Sequence, residues 1–316
     1  MSKTTDLTFF DDSAQGWERA LYAFLAEKLR RSGSRRTVDA YSRMIQHFFG
    51  KAGKPPDRVV SQEVFAWAHG RGVSGKEPGP ITIGARIACL SSFYRFLIRM
   101  EIVTSNPCDK LERPKVQEAP PRGLSADEIR RLLAAIPETK SGLRDRAIVL
   151  TLTLTGRRRT EVLEMVRGDL FNDSDRVYYS YRGKGGKQGK RELPRPAYDA
   201  ITQQLAAWGK DIGAMSKNES LWPTDDVERS TAGQGITSGT FYGNLQRYQR
   251  AAGLPASGVH ILRHSAAKLR RDAGESIEDV SRFLDHSSLA VTTTYLRRLE
   301  GQEDRSWQHV AEAIGV

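Results

Sequence analysis

The chain has 316 residues, of which 39% are hydrophobic and 28% are charged. It is long enough for two domains and apolar enough to bury a core, which excludes an intrinsically disordered protein. Lysine and arginine outnumber aspartate and glutamate by 49 to 38, and the pI is near 9.7, so a polyanionic partner is favoured over a small acidic substrate. A generically basic soluble protein remains the alternative.

The sequence predicts a soluble cytoplasmic protein. Its two cysteines, Cys89 and Cys108, form no CxxC motif and no cluster with histidine, which argues against a disulfide scaffold or a zinc site and fits a reducing compartment. Charged residues interrupt the apolar stretches of the first thirty residues, so no signal peptide is predicted. No run approaches the ~18 consecutive apolar residues of a membrane span.

A proline-rich segment divides the chain. Residues 104–123, TSNPCDKLERPKVQEAPPRG, contain four prolines and no apolar periodicity, which is typical of an extended linker. We therefore predict one domain over residues 1–113, a linker over 114–123 and a second domain over 124–316. Residues 1–115 carry a net charge of +7 and the remainder carries +4, so the excess positive charge is concentrated in the smaller domain.

The first domain is predicted to be helical. Apolar and aromatic residues recur at helical spacing in two stretches. Thr37, Tyr41, Met44, Ile45, Phe48 and Phe49 share one face, and Ile83, Ile87, Leu90, Tyr94 and Leu97 share another. Three or four short helices are expected.

The second domain is predicted to mix helices with one β-hairpin. It opens with the capping box at residues 125–128, and the apolar segment 147–154 indicates a buried helix, although its length would also suit a core strand. Strands are predicted at 176–183 and 190–194, joined by the glycine-rich KGGKQG. The last apolar stripe of the chain consists of Trp307, Val310, Ala311 and Ile314. The predicted fold class is mainly α with a small antiparallel β-sheet.

Two segments of the second domain carry basic residues that could hold a phosphate. TGRRRTEVLEM, residues 155–165, has three consecutive arginines after the predicted buried helix, and Glu161 lies three residues from Arg158, where it could orient that guanidinium. The hairpin tip presents Lys184 and Lys187 on a glycine loop. Taken alone, each segment is better explained by an ordinary feature, a solvated basic turn for the first and a polar hairpin turn for the second.

Two histidine-containing segments follow. His260 and Arg263 in HILRH lie three residues apart and therefore on one helical face. His286 precedes Tyr295 by nine residues in HSSLAVTTTY. Each segment alone also has an ordinary explanation, namely a structural histidine–arginine pair and two core side chains.

In this order, the four segments resemble the active-site series of the tyrosine recombinases, the integrase family. TGRRRTEVLEM resembles that family's TGLRxSELxxL, RGKGGKQGKRELP its GKGxKxRxVPL, VHILRHSAA its HxLRHxxAT, and FLDHSSLAVTTTY its LLGHSSxxTTxxY. The matches cover most of residues 124–296. The resemblance implies a helical, SAM-like core-binding domain followed by a mixed α/β catalytic domain.

The resemblance also implies a role for each residue of the set. The implied catalytic residues are Arg158, Lys184, His260, Arg263, His286 and Tyr295, with Glu161 in support. The tyrosine would attack a DNA phosphate and hold the strand as a 3′-phosphotyrosyl intermediate, while the two planar guanidiniums neutralise the phosphate oxygens. The histidines would donate hydrogen bonds, His260 would accept the tyrosine's proton, and Lys184 would protonate the leaving 5′ oxygen. Because this intermediate keeps the energy of the phosphodiester bond, no ATP and no metal cofactor are expected.

Three residues depart from the family's pattern. Asp285 stands where glycine often ends a helix; because aspartate tolerates a left-handed conformation better than most residues, we expect a small stability cost and no loss of function. Arg157 and Arg159 stand where apolar residues are frequent. Arg157 could therefore compete with Arg158 for the catalytic position.

The implied partner is double-stranded DNA, clamped between two domains. Candidate DNA contacts are Arg35, Arg36, Arg86, Arg95, Lys187 and Lys190. A homotetramer on two duplexes is expected, with the C-terminal helix docked on a neighbouring protomer; packing of that helix within its own chain is the alternative.

The predicted function is site-specific DNA recombination through a Holliday junction, by a simple two-domain recombinase of the Xer or Cre type without an arm-binding domain. A type IB topoisomerase, which uses the same chemistry on one duplex, is the nearest alternative. A catalytically silent DNA-binding protein of the same fold is the alternative from another functional class.

Overall fold

A computed structural model describes residues 17–72, 75–115, 123–173, 175–182 and 188–285 of the chain. The chain divides into two units, Met1–Glu118 and Ala119–Val316. The division between residues 118 and 119 falls within the predicted linker, while the function assigned to each domain stays a prediction.

The described part of the first unit is helical. Its α-helices are α1 (Trp17–Ser32), α2 (Arg35–Ala52), α3 (Ser61–His69) and α4 (Pro80–Arg99). Ser34 caps the start of α2 by accepting a hydrogen bond from the Thr37 N–H at 3.3 Å, and Gly53 ends it in the left-handed conformation. Both predicted apolar faces contribute to the core, since Ile45, Phe48, Ile87 and Leu97 are each at most 1% exposed.

Helix α4 is the central helix of this unit. By length and composition it is the one helix of the described residues that could cross a membrane, but half of its apolar window is buried. Leu90, Phe93 and Leu97 on α4 are fully buried and pack with Phe24 of α1 and Phe48 of α2 in one cluster. Its apolar character is therefore explained by its place in the core.

The second unit is mainly helical with one small sheet, and the predicted fold class is confirmed. Its α-helices are α5 (Ala126–Ala134), α6 (Lys140–Thr155), α7 (Arg159–Leu163), α8 (Arg195–Ala207), α9 (Val227–Thr231), α10 (Ser238–Ala251), α11 (His260–Asp272) and α12 (Ile277–Phe283). Its strands are β1 (Leu170–Asp173), β2 (Arg176–Arg182) and β3 (Gln188–Glu192).

The ambiguous apolar segment 147–154 is helical and lies within α6. Ala147, Ile148 and Val149 are 0% exposed, so successive residues are buried all round this helix rather than on one stripe. The hydroxyl of Thr151 donates to the carbonyl of Ala147 at 2.8 Å, and that of Thr155 donates to the carbonyl of Thr151 at 2.5 Å. These two buried hydroxyls are satisfied within the helix, which offsets the cost of burying them.

The sheet has one strand more than the sequence predicted. Its order is β1-β2-β3 with antiparallel neighbours, and Tyr179 of β2 pairs with Leu170 on one side and Arg191 on the other. The predicted hairpin is present, with β3 beginning two residues earlier than expected at Gln188. Strand β1 was missed because its four residues, LFND, are too few to display an alternating pattern.

Candidate functional site

The turn after α6 determines where the first arginine of the candidate site lies. Gly156 ends α6 at φ 61°, and a Cβ on this residue would lie 2.4 Å from the ring of Phe283. Only glycine meets both conditions, because it accepts positive φ and leaves room for the neighbouring ring. The backbone is extended at Arg158, the residue that precedes α7.

Arg158 is held by the carboxylate of Glu161. Its Nη1 donates to Oε1 at 2.8 Å and its backbone N–H donates to Oε2 at 2.9 Å. Glu161 is 9% exposed, whereas the side chain of Arg158 is 31% exposed. The contact expected from their spacing is therefore present, and about a third of the Arg158 side chain stays exposed.

Arg263 lies in the first turns of α11 and is almost fully buried, at 8% exposure. Its Nη1 donates to the carbonyl of Gly156 at 2.5 Å and its Nη2 donates to the carbonyl of Leu284 at 2.6 Å. A guanidinium has five N–H donors, so these bonds leave donors for a ligand. The guanidinium is thus fixed between the turn after α6 and the residue that follows α12.

Positive charge is concentrated at this point. Burial, followed by the charges of Arg158 and Arg157, lowers the pKa of Arg263 to about 10, against the opposing carboxylates of Glu161 and Asp285. Arg263 still carries its charge at neutral pH. Guanidiniums this close to one another favour a bound anion, and a strongly perturbed buried cation is typical of a functional site.

His260 is the first residue of α11 and is exposed as a whole. Burial of part of its ring lowers its pKa below the ordinary value, and the charges of Arg159, Arg263 and Arg158 lower it further. The imidazole is therefore neutral at pH 7 and can accept a proton. The hydrogen bond from Arg263 to the carbonyl of Gly156 brings α11, which also carries His260, to the turn that holds Arg158, although the two segments are about a hundred residues apart in the chain.

A second ionic cluster adjoins the first. Arg157 is 1% exposed, and its guanidinium donates to the carboxylate of Asp285 and to the carbonyl of Phe283. Arg191 donates to the same carboxylate at 2.7 Å. The hydroxyl of Tyr181 also donates to it. Burial opposes ionisation of Asp285, but these hydrogen bonds and charges lower its pKa to about 2.

The cluster bears on the departures from the family's pattern. Asp285 has φ 51°, the left-handed conformation expected for a residue at a glycine position. Arg157 is buried against it, so the geometry favours Arg158 as the arginine available to a ligand. The sequence indicated both departures separately but not their pairing. One signal could have predicted the pairing. Arg157 and Asp285 are replacements of opposite charge, and each directly precedes a motif residue, Arg158 or His286.

Four predicted site residues and the C-terminal stripe lie outside the described residues. These site residues are Lys184, Lys187, His286 and Tyr295. Their assignments stay predictions.

The predicted DNA contacts in the described residues fall into two groups. Arg35 and Arg36 at the start of α2, Arg95 on α4 and Lys190 on β3 are exposed. Arg86 is partly buried, and its Nη1 lies 2.6–3.0 Å from the carbonyls of Trp67, Ala68 and Gly70 at the end of α3. The first group is exposed to solvent, although the ammonium of Lys190 also lies 4.5 Å from the ring centroid of Phe171. Arg86 has a structural role.

Among the residues that the structure describes, no group of three or more His, Cys, Asp and Glu side chains could hold a metal ion. No metal ligand set is assigned in this part of the chain.

Comparison with known proteins identifies the family of the chain. Residues 122–301 match the phage integrase family. The tyrosine recombinase XerC of Pelotomaculum thermopropionicum is 29% identical over 287 residues, which cover 85% of this chain and 89% of the relative. The tyrosine recombinase XerD of Listeria innocua is 26% identical over 269 residues, which cover 83% and 88%.

Solved structures share the fold. A lambda integrase tetramer bound to a Holliday junction matches with a TM-score of 0.67 and 20% identity, covering 93% of this chain and 80% of that one. The XerH site-specific recombinase bound to its difH substrate, in a post-cleavage complex with a palindromic site, matches with a TM-score of 0.65 and 18% identity, covering 96% and 86%.

Proposed function

The chain belongs to the phage integrase family, and from this premise we propose that it is a site-specific tyrosine recombinase that cuts and rejoins DNA strands. The observation that carries the proposal is the hydrogen bond from Arg263 to the carbonyl of Gly156, which brings the helix of His260 and Arg263 to the turn that holds Arg158. The two named relatives are tyrosine recombinases, and their alignments cover more than four fifths of this chain.

The proposed ligand of the site is a DNA phosphodiester. Arg263 is rigidly bonded to two carbonyls, and Arg158 is oriented by Glu161. Two guanidiniums held in this way can bind both non-bridging oxygens of one phosphate. They stabilise the pentacovalent transition state more than the bound substrate, because negative charge on these oxygens increases as that state forms. Because protein groups already orient both guanidiniums, little reorganisation is needed when the phosphate binds.

In the proposed cleavage step, the phenol oxygen of Tyr295 forms a bond to phosphorus and the bond from phosphorus to the 5′ oxygen breaks. The proton of Tyr295 passes to His260, whose lowered pKa makes it neutral and able to accept it. Lys184 donates a proton to the leaving 5′ oxygen, and His286 donates a hydrogen bond to a phosphate oxygen. The products are a 3′-phosphotyrosyl strand and a free 5′ hydroxyl.

Rejoining is the reverse of this step. A 5′ hydroxyl from another strand attacks the phosphotyrosyl bond and releases Tyr295. Since one phosphoester replaces another, the exchange needs no ATP, and the arginines supply the charge stabilisation that a metal ion would otherwise give. Exchange of one strand in each of two duplexes produces a Holliday junction.

The proposed partner is double-stranded DNA, contacted by the exposed residues Arg35, Arg36, Arg95 and Lys190, by Lys187 and, with its structural role, by Arg86. Strand exchange requires two duplexes and hence four active sites, so we propose a homotetramer in which the C-terminal helix docks on a neighbouring protomer. The tetramer of lambda integrase on a Holliday junction supports this proposal. We also propose a cytoplasmic location, which the DNA substrate supports.

Covalent capture from random DNA tests the proposal and selects the target site in the same experiment. Tagged protein is incubated with a library of duplexes whose two arms are randomised. Each duplex is nicked just downstream of the cleavage position, so the short fragment with the free 5′ hydroxyl dissociates after cleavage and the strand cannot be resealed. DNA that stays attached to the protein in SDS is sequenced. We expect wild type to enrich one family of sites and Tyr295→Phe to capture nothing. An adduct that persists in Tyr295→Phe would contradict the assignment of the nucleophile.

The same library separates the alternatives. A recombinase joins two plasmid-borne copies of the selected site and accumulates a four-way junction, whereas a type IB topoisomerase relaxes supercoils and exchanges nothing. Enrichment by non-covalent binding alone, with no adduct in wild type, would identify a silent DNA-binding protein.

A further inference from the structure

The two carbonyls that hold Arg263 lie next to an ion pair. They belong to Gly156 and Leu284, which directly precede Arg157 and Asp285. Arg157 and Asp285 form an ion pair with each other. The guanidinium of Arg263 and this ion pair thus join the same two segments of chain at adjacent positions, although the segments are 128 residues apart.

The ion pair is tied to the sheet as well. The guanidinium of Arg157 lies 4.4 Å from the ring centroid of Tyr181, a residue of β2 whose hydroxyl donates to Asp285. Arg191 of β3 donates to the Asp285 carboxylate at 2.7 Å and to the carbonyl of Arg282 at 2.8 Å. The end of α12 is therefore fixed to both β2 and β3.

Arg157 depends on the charge of Asp285. Arg157 is 1% exposed, and a buried guanidinium without its counter-charge is strongly unfavourable. At φ 51° a glycine in place of Asp285 would adopt the backbone conformation more easily, but it would supply no charge. The buried Arg157 therefore depends on Asp285, whereas Asp285 has a second cationic partner in Arg191.

We propose that Arg157 and Asp285 are a positioning pair for Arg263: they hold together the two chain segments whose carbonyls orient its guanidinium toward the scissile phosphate. This inference rests on the proposed function, since Arg263 is taken as a phosphate-binding residue. The pair itself touches no reacting atom. Its effect on cleavage is through the placement of Arg263.

The test uses two variants of the pair and a matched control. Asp285→Asn removes the charge and keeps a residue that tolerates positive φ, and Arg157→Leu removes the buried cation. Asp199→Asn removes an exposed ion pair with Arg195 in the same unit, where Nε and Oδ1 lie 2.8 Å apart. The combination of Arg157→Leu with Asp285→Asn completes a double-mutant cycle.

The activity readout is single-turnover cleavage at saturating DNA, on a normal substrate and on one with a methylphosphonate at the scissile position. We expect Asp285→Asn to cleave the normal substrate roughly 10- to 100-fold more slowly, because small displacements of a positioned group have effects of this size. Cleavage of the neutral methylphosphonate needs less stabilisation by positive charge than cleavage of a phosphodiester. The rate of Asp285→Asn should therefore be closer to the wild-type rate on this substrate, and the same should hold for Arg263→Lys. The fold-decrease in cleavage rate of the combined variant should be smaller than the product of the fold-decreases of the two single variants. Asp199→Asn should cleave at the wild-type rate.

The second readout does not require activity. The side-chain N–H signals of Arg263, identified by their absence in Arg263→Lys, should shift or broaden in the NMR spectrum of Asp285→Asn and stay unchanged in Asp199→Asn. Unchanged Arg263 signals in Asp285→Asn would overturn the proposal, as would a cleavage defect equal on both substrates. If wild type forms no adduct on any DNA, the proposed function fails, and the NMR comparison still decides whether the pair positions Arg263.

Discussion

Glu161 binds Arg158 twice, once through each carboxylate oxygen. Oε2 accepts the backbone N–H at 2.9 Å, which caps the start of α7, and Oε1 accepts Nη1 at 2.8 Å, which orients the guanidinium. One buried side chain thus joins a local folding signal to a proposed catalytic residue. The two tasks use different atoms, and a substitution can separate them.

Glu161→Gln should keep the cap and lose the orientation. The glutamine carbonyl can still accept the Arg158 N–H, but its NH2 group cannot accept from the guanidinium. We expect a loss of less than about 1 kcal/mol in the free energy of unfolding and a cleavage rate roughly tenfold lower, because positioning is lost while the charge of Arg158 remains. Urea unfolding and single-turnover cleavage measure the two effects. Glu161→Ala is the control that should lose both, and equal stability of the two variants would contradict the division of tasks.

Lysine substitutions should distinguish the two arginines. Arg158→Lys should slow cleavage on the order of a hundredfold with little change in Tm, because Arg158 is about one third exposed and spans no distant segments. Arg263→Lys should slow cleavage similarly and also lower Tm, because one ammonium cannot reproduce the forked contacts to Gly156 and Leu284. Calorimetry beside the cleavage assay checks this, and equal Tm values for the two variants would contradict the structural role of Arg263.

Local sequence patterns predicted much of this architecture. Helical spacing identified the faces of α2 and α4, and the residue order of the four motifs identified the family. Strand β1 was missed, because its four residues are too short for periodicity to show. The assignment of Lys184, His286 and Tyr295 still depends on the resemblance alone.

Contacts between residues far apart in the chain could not be predicted from the sequence patterns. Arg157 and Asp285 were each noted as departures from a motif, yet their contact arises only when α12 meets the turn after α6. The lowered pKa of His260 likewise depends on arginines brought near it by the fold. Such effects depend on distance in space, which spacing along the chain does not contain.

The pH dependence of cleavage should report His260. Its pKa lies below the ordinary value of about 6.5 because of burial and the charges of Arg159, Arg263 and Arg158. If the neutral ring accepts the proton of Tyr295, the cleavage rate at subsaturating DNA should rise with pH below about 6.5 and level off by neutral pH. The unfolded chain binds this proton more tightly, so the free energy of unfolding should rise over the same range. His260→Gln should be slow and lack the rise, and an unchanged acid limb in this variant would assign the base elsewhere.

A buried carboxylate should be important for the stability of the second unit without touching DNA. Asp145 is 0% exposed; it accepts from Arg144 at 2.9–3.0 Å, from Asn244 at 2.8 Å and from the hydroxyl of Tyr248 at 2.9 Å. Asp145→Asn leaves Arg144 buried without its counter-charge, so we expect a loss of about 3–5 kcal/mol in urea unfolding. Tyr248→Phe removes one hydrogen bond and should lose only about 1 kcal/mol. Similar losses in both variants would contradict the ionic role of Asp145.

Salt dependence should separate the two kinds of arginine in the first unit. Arg36 is exposed at the start of α2, whereas Arg86 donates to the carbonyls of Trp67, Ala68 and Gly70. If Arg36 contacts a phosphate, Arg36→Ala should lower the slope of log affinity against log salt by about one, because one fewer counterion is released, and should leave Tm unchanged. Arg86→Ala should lower Tm, since carbonyls at the end of α3 lose their donor. Fluorescence anisotropy with the selected duplex at several salt concentrations measures the slope, and calorimetry measures Tm. A wild-type slope in Arg36→Ala would remove it from the DNA interface, and a wild-type Tm in Arg86→Ala would remove its structural role.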